Sequence, residues 1–156
     1  GKALAERYDR NHALKAGEFI IVISNSGKNC SPIEIAEYAK AKGLTVIALT
    51  SITMTQQVVT TNASGKKLYE VADYTLDNCG FMGDVTVELP GRDQSGGPTS
   101  TLAGAMLINL LQMEILEHLV NNGDPTPLLR SQNTEGAMEA NIELARCYKG
   151  RLSKPL

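Results

Sequence analysis

The fold is decided by one segment, Phe19-Ile-Ile-Val-Ile-Ser-Asn-Ser-Gly-Lys-Asn-Cys-Ser-Pro-Ile-Glu34, in which an apolar run leads through a polar loop into a helix start. Residues 19–23 are apolar and mostly β-branched, the pattern of a parallel strand that is covered on both faces. A helix is predicted over residues 32–42, because Ser31 suits the N-cap position and Glu34, three residues later, completes a capping box. The segment therefore predicts a strand, a loop and a helix in that order.

A second strand follows this helix after a short turn. Gly43 supplies the helix stop, and residues 45–50 (Thr-Val-Ile-Ala-Leu-Thr) repeat the apolar, β-branched pattern. A strand, a helix and a strand within about thirty residues form a βαβ unit with a right-handed crossover. We therefore predict an α/β fold, with a parallel sheet and helices on both of its faces.

The rest of the chain shows no linker, repeat or low-complexity tract, so residues 1–156 are predicted to form one domain. Its long helix is apolar nearly all the way round, so we expect it to be buried against the sheet, a partner, or both. The further predicted elements are short helices over 53–60 and 66–71, short strands over 74–76 and 85–89, a loop over 90–98, the long helix over 99–120 and a last helix over 136–148.

Composition excludes several classes of protein. Aromatic residues make up 4% of the chain, its formal net charge is -2, and no basic patch stands out, so we expect no nucleic-acid partner. The most apolar run, residues 102–116, is interrupted by Asn109, Gln112 and Glu114, so we expect no membrane span. Three scattered cysteines and a polar start without a signal peptide predict a cytoplasmic protein, and we expect neither a metal ion nor a cofactor.

The loop at Ser24–Ser31 carries the chemistry. Ligands of open α/β sheets sit at the carboxyl ends of the strands, and the N–H groups at a helix start favour an anion there. Ser24 and Ser26 supply hydroxyl donors, and Gly27 allows a close backbone approach. Alternatively, the loop is a turn whose serines only satisfy backbone groups. It is neither a P-loop nor a dinucleotide-binding Gly-x-Gly-x-x-Gly motif.

This loop resembles the Ser-x-Ser-Gly phosphate loop of SIS (sugar isomerase) domains. The chain is similar, more narrowly, to a bacterial SIS subfamily described as phosphoheptose-isomerase-like. The resemblance implies a flavodoxin-like sheet, a phosphorylated sugar as ligand, and dimers or tetramers with sites shared between subunits. The motifs that extend it are Ser64-Gly-Lys-Lys-Leu-Tyr-Glu70, Ala72-Asp73, Gly83-Asp84 and Gly97-Pro-Thr-Ser-Thr101.

The resemblance also implies which residues bind the phosphate. Thr-Ser-Thr before a helix is, taken alone, more often a simple cap. The implied phosphate-binding residues are Ser24, Asn25, Ser26, Gly27 and Ser31 in the loop, Thr50 and Ser51 at the end of the next strand, and Thr99, Ser100 and Thr101 as a second polar wall.

No catalytic residue stands out. An aldose–ketose isomerase needs a base and a group that steadies the enediolate oxygen. The weak candidates are His118 and Glu114, four residues apart on the long helix, and Asp84 after a glycine. Alternatively, His118 and Glu114 are surface residues on the more solvent-exposed half of the helix, and Asp84 only forms a turn. Three functions therefore stay open: an isomerase, a non-catalytic phosphosugar sensor, and a lyase resembling the etherase that cleaves amino-sugar lactyl ethers.

One departure from the SIS pattern concerns the start of the chain. SIS domains begin with a long helix and a first strand that carries another substrate-binding loop, and only eighteen residues precede Phe19. In flavodoxin-like order, we expect this missing strand to lie between residues 19–23 and residues 45–50. The sequence therefore predicts that these residues belong to a longer polypeptide, or that another chain completes the sheet.

Overall fold

The computed structural model describes residues 1–149. Within them, helices and strands alternate over the first half of the chain, a hairpin follows, and two helices close the described part. The elements are α1 (Lys2–His12), β1 (Phe19–Ile23), α2 (Cys30–Ala41), β2 (Thr45–Thr50), α3 (Ile52–Gln57), α4 (Leu68–Val71), β3 (Tyr74–Asp77), β4 (Val85–Glu88), β5 (Ser95–Pro98), α5 (Ser100–Asn122) and α6 (Ala137–Cys147).

The centre of the fold is a parallel sheet in the order β1-β2-β3. Val22, Val46 and Ala48 point to one face, where they pack with the buried residues of α2 and α4. On the other face, Leu49 lies under α5, because a Cβ added to Gly104 would be 3.5 Å from its side chain. The predicted α/β fold, with a parallel sheet and helices on both faces, is confirmed.

The predicted position of a missing strand between β1 and β2 is wrong. These two strands pair directly, from Phe19 opposite Thr45 to Ile23 opposite Leu49, and the pairing continues as Ser24 N–H donates to the Leu49 carbonyl over 3.0 Å. In the flavodoxin order 2-1-3-4-5, only strands 3, 4 and 5 form a run of three consecutive strands side by side. The observed order β1-β2-β3 is such a run.

The predicted capping box is also wrong. Helix α2 begins at Cys30, with Asn29 as its N-cap and without a side-chain capping bond, so Ser31 already lies in the first turn. Glu34 instead accepts a hydrogen bond from the Lys2 backbone N–H over 3.0 Å at the start of α1. The sequence contains the capping pattern, but the Glu34 carboxylate binds the start of another helix and does not cap its own helix.

One later prediction differs from the structure. Residues 95–98 form a strand, β5, which pairs antiparallel with β4, although the sequence predicted a loop over 90–98. Helix α5 contacts the sheet at Gly104, but Leu102 is 77% exposed and Met106 is 62% exposed in the single chain, so burial of this helix against a partner stays a prediction. By length and composition alone α5 could cross a membrane, but helices of soluble proteins satisfy the same criterion.

Helix α1, which the sequence analysis did not predict, is fastened to α2 by a carboxylate. Asp9 Oδ2 accepts hydrogen bonds from the Tyr38 hydroxyl and from Lys42 Nζ, both over 2.7 Å. Its Oδ1 accepts from the Leu14 backbone N–H over 3.0 Å. The hydrogen bonds from Lys42 and then from Tyr38 hold the pKa of the Asp9 carboxyl below its ordinary value.

We expect Asp9→Asn to lower the melting temperature by a few degrees at neutral pH, because the amide keeps the shape but loses the ion pair with Lys42. The pKa of Asp9 is lowered in the folded protein, so its stabilisation is present above the unfolded value of 3.8 and is lost as the pH falls through the folded value. Thermal melts across pH should therefore converge for variant and wild type at the acid end. Melting temperatures that still differ between variant and wild type at the acid end would contradict this role for the Asp9 carboxylate.

Candidate functional site

Three loops meet at the carboxyl edge of the sheet. The first, residues 24–29, joins β1 to α2, the second begins at Ser51 after β2, and the third begins at Asn78 after β3. Backbone hydrogen bonds link them: Ser51 N–H donates to the Asn25 carbonyl and Asn78 N–H donates to the Thr50 carbonyl, each over 3.0 Å. The sequence-predicted loop therefore lies where ligands of open α/β sheets bind.

The first loop is called the phosphate loop below, after the role that the sequence resemblance implies, and it is a tight turn that leads into a helix. Gly27 N–H donates to the Ser24 carbonyl over 3.1 Å, and Asn29 then caps α2. The first N–H groups of a helix have no partner within the helix, so those of α2 are open to an acceptor. The hydroxyls of Ser24 and Ser26 are partly buried and, within residues 1–149, form no hydrogen bond to protein atoms.

Gly27 is required here by its conformation and by its neighbours. Its φ is 58°, in the left-handed region that glycine adopts without strain. A Cβ at this position would lie 2.9 Å from Thr55 Oγ1 and 3.1 Å from Thr50 Oγ1. The glycine is therefore explained by packing against the protein, and the predicted approach to a ligand is not needed to account for it.

The hydroxyls of Thr50 and Thr55 hold the phosphate loop from behind. Thr50 Oγ1 donates to the Asn25 carbonyl over 3.1 Å and lies 3.0 Å from Thr55 Oγ1. Thr55 Oγ1 in turn donates to the Ser26 carbonyl over 2.9 Å. Both threonines are fully buried, so they fix the backbone of the loop and do not face solvent.

Ser51 also has a structural partner on each side. Its Oγ accepts from the Met54 N–H over 3.0 Å, which caps α3, and donates to the Gly80 carbonyl over 2.6 Å.

The site residues that sequence reasoning missed are Thr55 and Asn78. Asn78 offered one signal, since it is a polar residue two positions after the strand predicted over residues 74–76.

The start of α5 already holds an anion, the carboxylate of Asp84. Its Oδ1 accepts from the Ser100 N–H over 2.8 Å and from the Thr99 N–H over 3.2 Å, and its Oδ2 accepts from the Ser100 hydroxyl. Bonding from Ser100 lowers the pKa of Asp84. Thr101 is exposed in the first turn. The predicted role of residues 99–101 as a second phosphate-binding wall stays a prediction. In this structure the Asp84 carboxylate accepts the hydrogen bonds that Thr99 and Ser100 donate.

His118 and Glu114 lie away from the phosphate loop within one copy of the chain. Helix α5 runs antiparallel to the sheet, since Gly104 lies over Leu49 near the carboxyl end of β2, and the later part of α5 lines a groove with Phe19 at the amino end of β1. Eighteen residues separate Ser100 from His118, about 27 Å along a helix. Both candidates are exposed, and His118 Nε2 lies 3.0 Å from Asn122 Nδ2.

Replacing Gly27 by alanine should destabilise the protein by about 2–4 kcal/mol, because left-handed strain adds to a clash with two buried threonines. Gly65 provides the matched control, since its φ is 72° and a Cβ would meet nothing within 4 Å. We expect Gly65→Ala to cost about 1–2 kcal/mol from strain alone. Urea denaturation measures both, and equal losses in the two variants would show that Gly27 is not packed as described.

The comparisons with known proteins agree with this geometry. Residues 2–51 match the family of the SIS domain. A UPF0309 protein of Caldanaerobacter subterraneus is 40% identical over 153 residues, which are 97% of this chain and 61% of that protein. A UPF0309 protein of Brucella anthropi is 38% identical over 149 residues, 95% of this chain and 58% of that protein. A UPF0309 protein of Listeria innocua is 33% identical over 148 residues, 95% of this chain and 60% of that protein.

The chain therefore spans about 60% of the length of the curated relatives it matches. The matched SIS segment begins in α1, passes through the phosphate loop and ends directly after β2. It coincides with the βαβ unit that places the loop at the carboxyl edge of a parallel sheet. The match thus identifies a SIS domain segment over residues 2–51, and the relatives are similar to the chain over most of its length.

Proposed function

We propose that this chain binds a phosphorylated sugar, with the phosphate in the loop at Ser24–Ser31, and that the protein is a cytoplasmic aldose–ketose sugar-phosphate isomerase. The SIS domain supports the phosphosugar, because phosphosugar binding is what the domain implies. The isomerase chemistry and the identity of the sugar go beyond that support and rest on the experiments below.

One observation carries the binding proposal, namely the unused donors of the phosphate loop. The hydroxyls of Ser24 and Ser26 have no protein partner among the described residues, whereas those of Thr50 and Ser51 are bonded inside the protein. The free hydroxyls belong to the loop that leads into α2, and the helix dipole adds positive potential at the start of that helix. A phosphate oxygen accepts from these hydroxyls and from the N–H groups of the helix start without displacing any protein bond.

A base for the isomerisation is not provided by the phosphate loop. Asp84 accepts several hydrogen bonds at the start of α5, which lower its pKa and make it a poor proton acceptor. His118 and Glu114 lie toward the other end of the sheet in the same copy. We therefore propose that the base comes from a second copy of the chain, in a dimer or tetramer, or from the part of the relatives that this chain does not span.

The exposed face of α5 supports self-association. Leu102, Met106 and Met113 are all largely exposed, at intervals of four and seven residues along the helix. Such spacing places apolar side chains on one side of a helix, as in helix–helix interfaces. A second copy that covers this face would also bring its own residues toward the open side of the sheet.

A non-catalytic phosphosugar sensor is the second candidate function. The observation that favours it is that none of the three candidate bases is available at the loop: Asp84 is saturated with donors, and His118 and Glu114 are distant. A lyase that acts on a phosphosugar has the same need for a proton acceptor. Phosphate binding is common to all three, so the loop alone does not separate them.

We expect a thermal-shift screen to give stabilisation by at least one sugar phosphate, and none by its unphosphorylated sugar, by free phosphate or by nucleotides. Ser26→Ala should weaken the binding of that sugar phosphate about tenfold or more, because a hydrogen bond to a charged group is lost. Ser95→Ala, in the exposed hairpin, is the control and should leave the shift unchanged. An unaltered shift in Ser26→Ala would show that the phosphate is not held by this loop.

The isomerase and the sensor differ in proton exchange. Incubated in deuterated water with an aldose phosphate that stabilises it, an isomerase exchanges the C2 proton of the aldose, because the enediol intermediate takes up a deuteron that comes from the solvent. Proton NMR of the recovered ligand should therefore show loss of the C2 signal, with the same incubation without protein as control. Retention of the C2 proton by a tightly bound ligand would favour the sensor.

A further inference from the structure

The loop that leaves β3 contacts both of the predicted anion-binding features. Its first residue, Asn78, reaches the phosphate loop, and its last, Asp84, holds the start of α5. We call residues 78–84 the bridging loop. Sequence analysis assigned no role to its first part, although Asn78 is only 8% exposed and is thus one of the few buried polar residues of the chain.

Asn78 uses its backbone and both ends of its side-chain amide. Its N–H donates to the Thr50 carbonyl over 3.0 Å, which extends the pairing of β3 with β2. Its Nδ2 donates to Asn25 Oδ1 over 2.8 Å, and its Oδ1 accepts from the Gly80 N–H over 3.0 Å. The side chain therefore links the phosphate loop to the bridging loop across 53 residues of sequence.

Gly80 closes this arrangement on the other side. A Cβ added to Gly80 would lie 3.0 Å from Asn78 Oδ1 and 3.3 Å from Asn25 Oδ1, so the backbone packs directly against the amide pair. The Gly80 carbonyl also accepts from Ser51 Oγ over 2.6 Å. The pair of asparagines is thus enclosed by backbone on one side and by the end of β2 on the other.

From these contacts we propose that Asn78 is a positioning residue for the phosphate loop and acts through the side chain of Asn25. The proposal rests on the proposed function, since it concerns the same phosphate site. The Asn25 carbonyl is held by Thr50 and Ser51, and its side chain by Asn78. Because the carbonyl and the side chain of Asn25 are both fixed, the two flanking serines present their hydroxyls in defined directions. Ligand binding then costs less conformational entropy in the loop.

A ligand-independent experiment tests the positioning. Hydrogen–deuterium exchange of residues 24–28 should be about tenfold faster in Asn78→Ala than in wild type, because the loss of a buried hydrogen bond loosens the loop. The control is Asp73→Ala, which acts at the opposite end of β3 and removes a bond of 2.8 Å to the Val46 N–H. Asp73→Ala should leave the exchange of residues 24–28 as in wild type. Equal exchange in all three proteins would overturn the proposal.

A binding experiment tests the route through Asn25. Calorimetric titration with fructose 6-phosphate should show about tenfold weaker binding by Asn78→Ala, and the double variant Asn25→Ala/Asn78→Ala should bind no more weakly than Asn25→Ala alone. Losses that multiply in the double variant would mean that Asn78 acts independently of Asn25, which contradicts the proposal. If wild type binds neither fructose 6-phosphate nor any sugar phosphate of the thermal-shift screen, the proposed function fails, while the exchange experiment still decides the positioning.

Discussion

The direct parallel pairing of β1 with β2 is the constraint on which the rest of the structure depends. The ladder runs on beyond the strands, through the bond from Ser24 N–H to the Leu49 carbonyl and the bond from Ser51 N–H to the Asn25 carbonyl. It therefore fixes the end of β2 directly behind the loop that follows β1. Thr50, the last residue of β2, can reach the Asn25 carbonyl only because of this register.

Buried hydroxyls and free hydroxyls have different roles at this edge. Those of Thr50, Thr55 and Ser51 donate to the backbone carbonyls of Asn25, Ser26 and Gly80, and buried polar groups are costly to leave unpaired. Those of Ser24 and Ser26 remain available. A run of serines and threonines in a sequence does not reveal this division, because it depends on which of them face the core. Fewer hydroxyls are therefore available to a ligand than the sequence resemblance implied, and the binding role of Ser24 and Ser26 stays a prediction.

Much of the fold could be predicted from the sequence because its signals are local. The apolar, β-branched runs of β1 and β2, and the glycine after α2, depend only on neighbouring residues, and the structure confirms them. The capping box failed because Glu34 has a competing partner in α1, 32 residues away. The strand β5 was missed because its sequence, Ser-Gly-Gly-Pro, has no side chains that indicate a strand.

The site was harder to predict than the fold because several of its contacts join residues that lie far apart in the sequence. Ser24, Ser26 and Gly27 stand out because they follow a buried strand and precede a helix. Asn78 and Thr55 gave almost no signal, since their roles come from contacts 53 and 29 residues away in the chain. The order of the strands was also misjudged, because consecutive strands in sequence are neighbours in only part of a flavodoxin-like sheet.

Asp84 has a consequence for the kind of ligand that this edge accepts. The start of α5 is already neutralised by an internal carboxylate, that of Asp84, whose backbone is left-handed with a φ of 63°. If the chain binds a phosphosugar as proposed, a monophosphate at the start of α2 would not compete with this carboxylate. A second phosphate at the start of α5 would have to displace Asp84 from the Thr99 and Ser100 donors. The proposed site would therefore favour ligands with one phosphate over ligands with two.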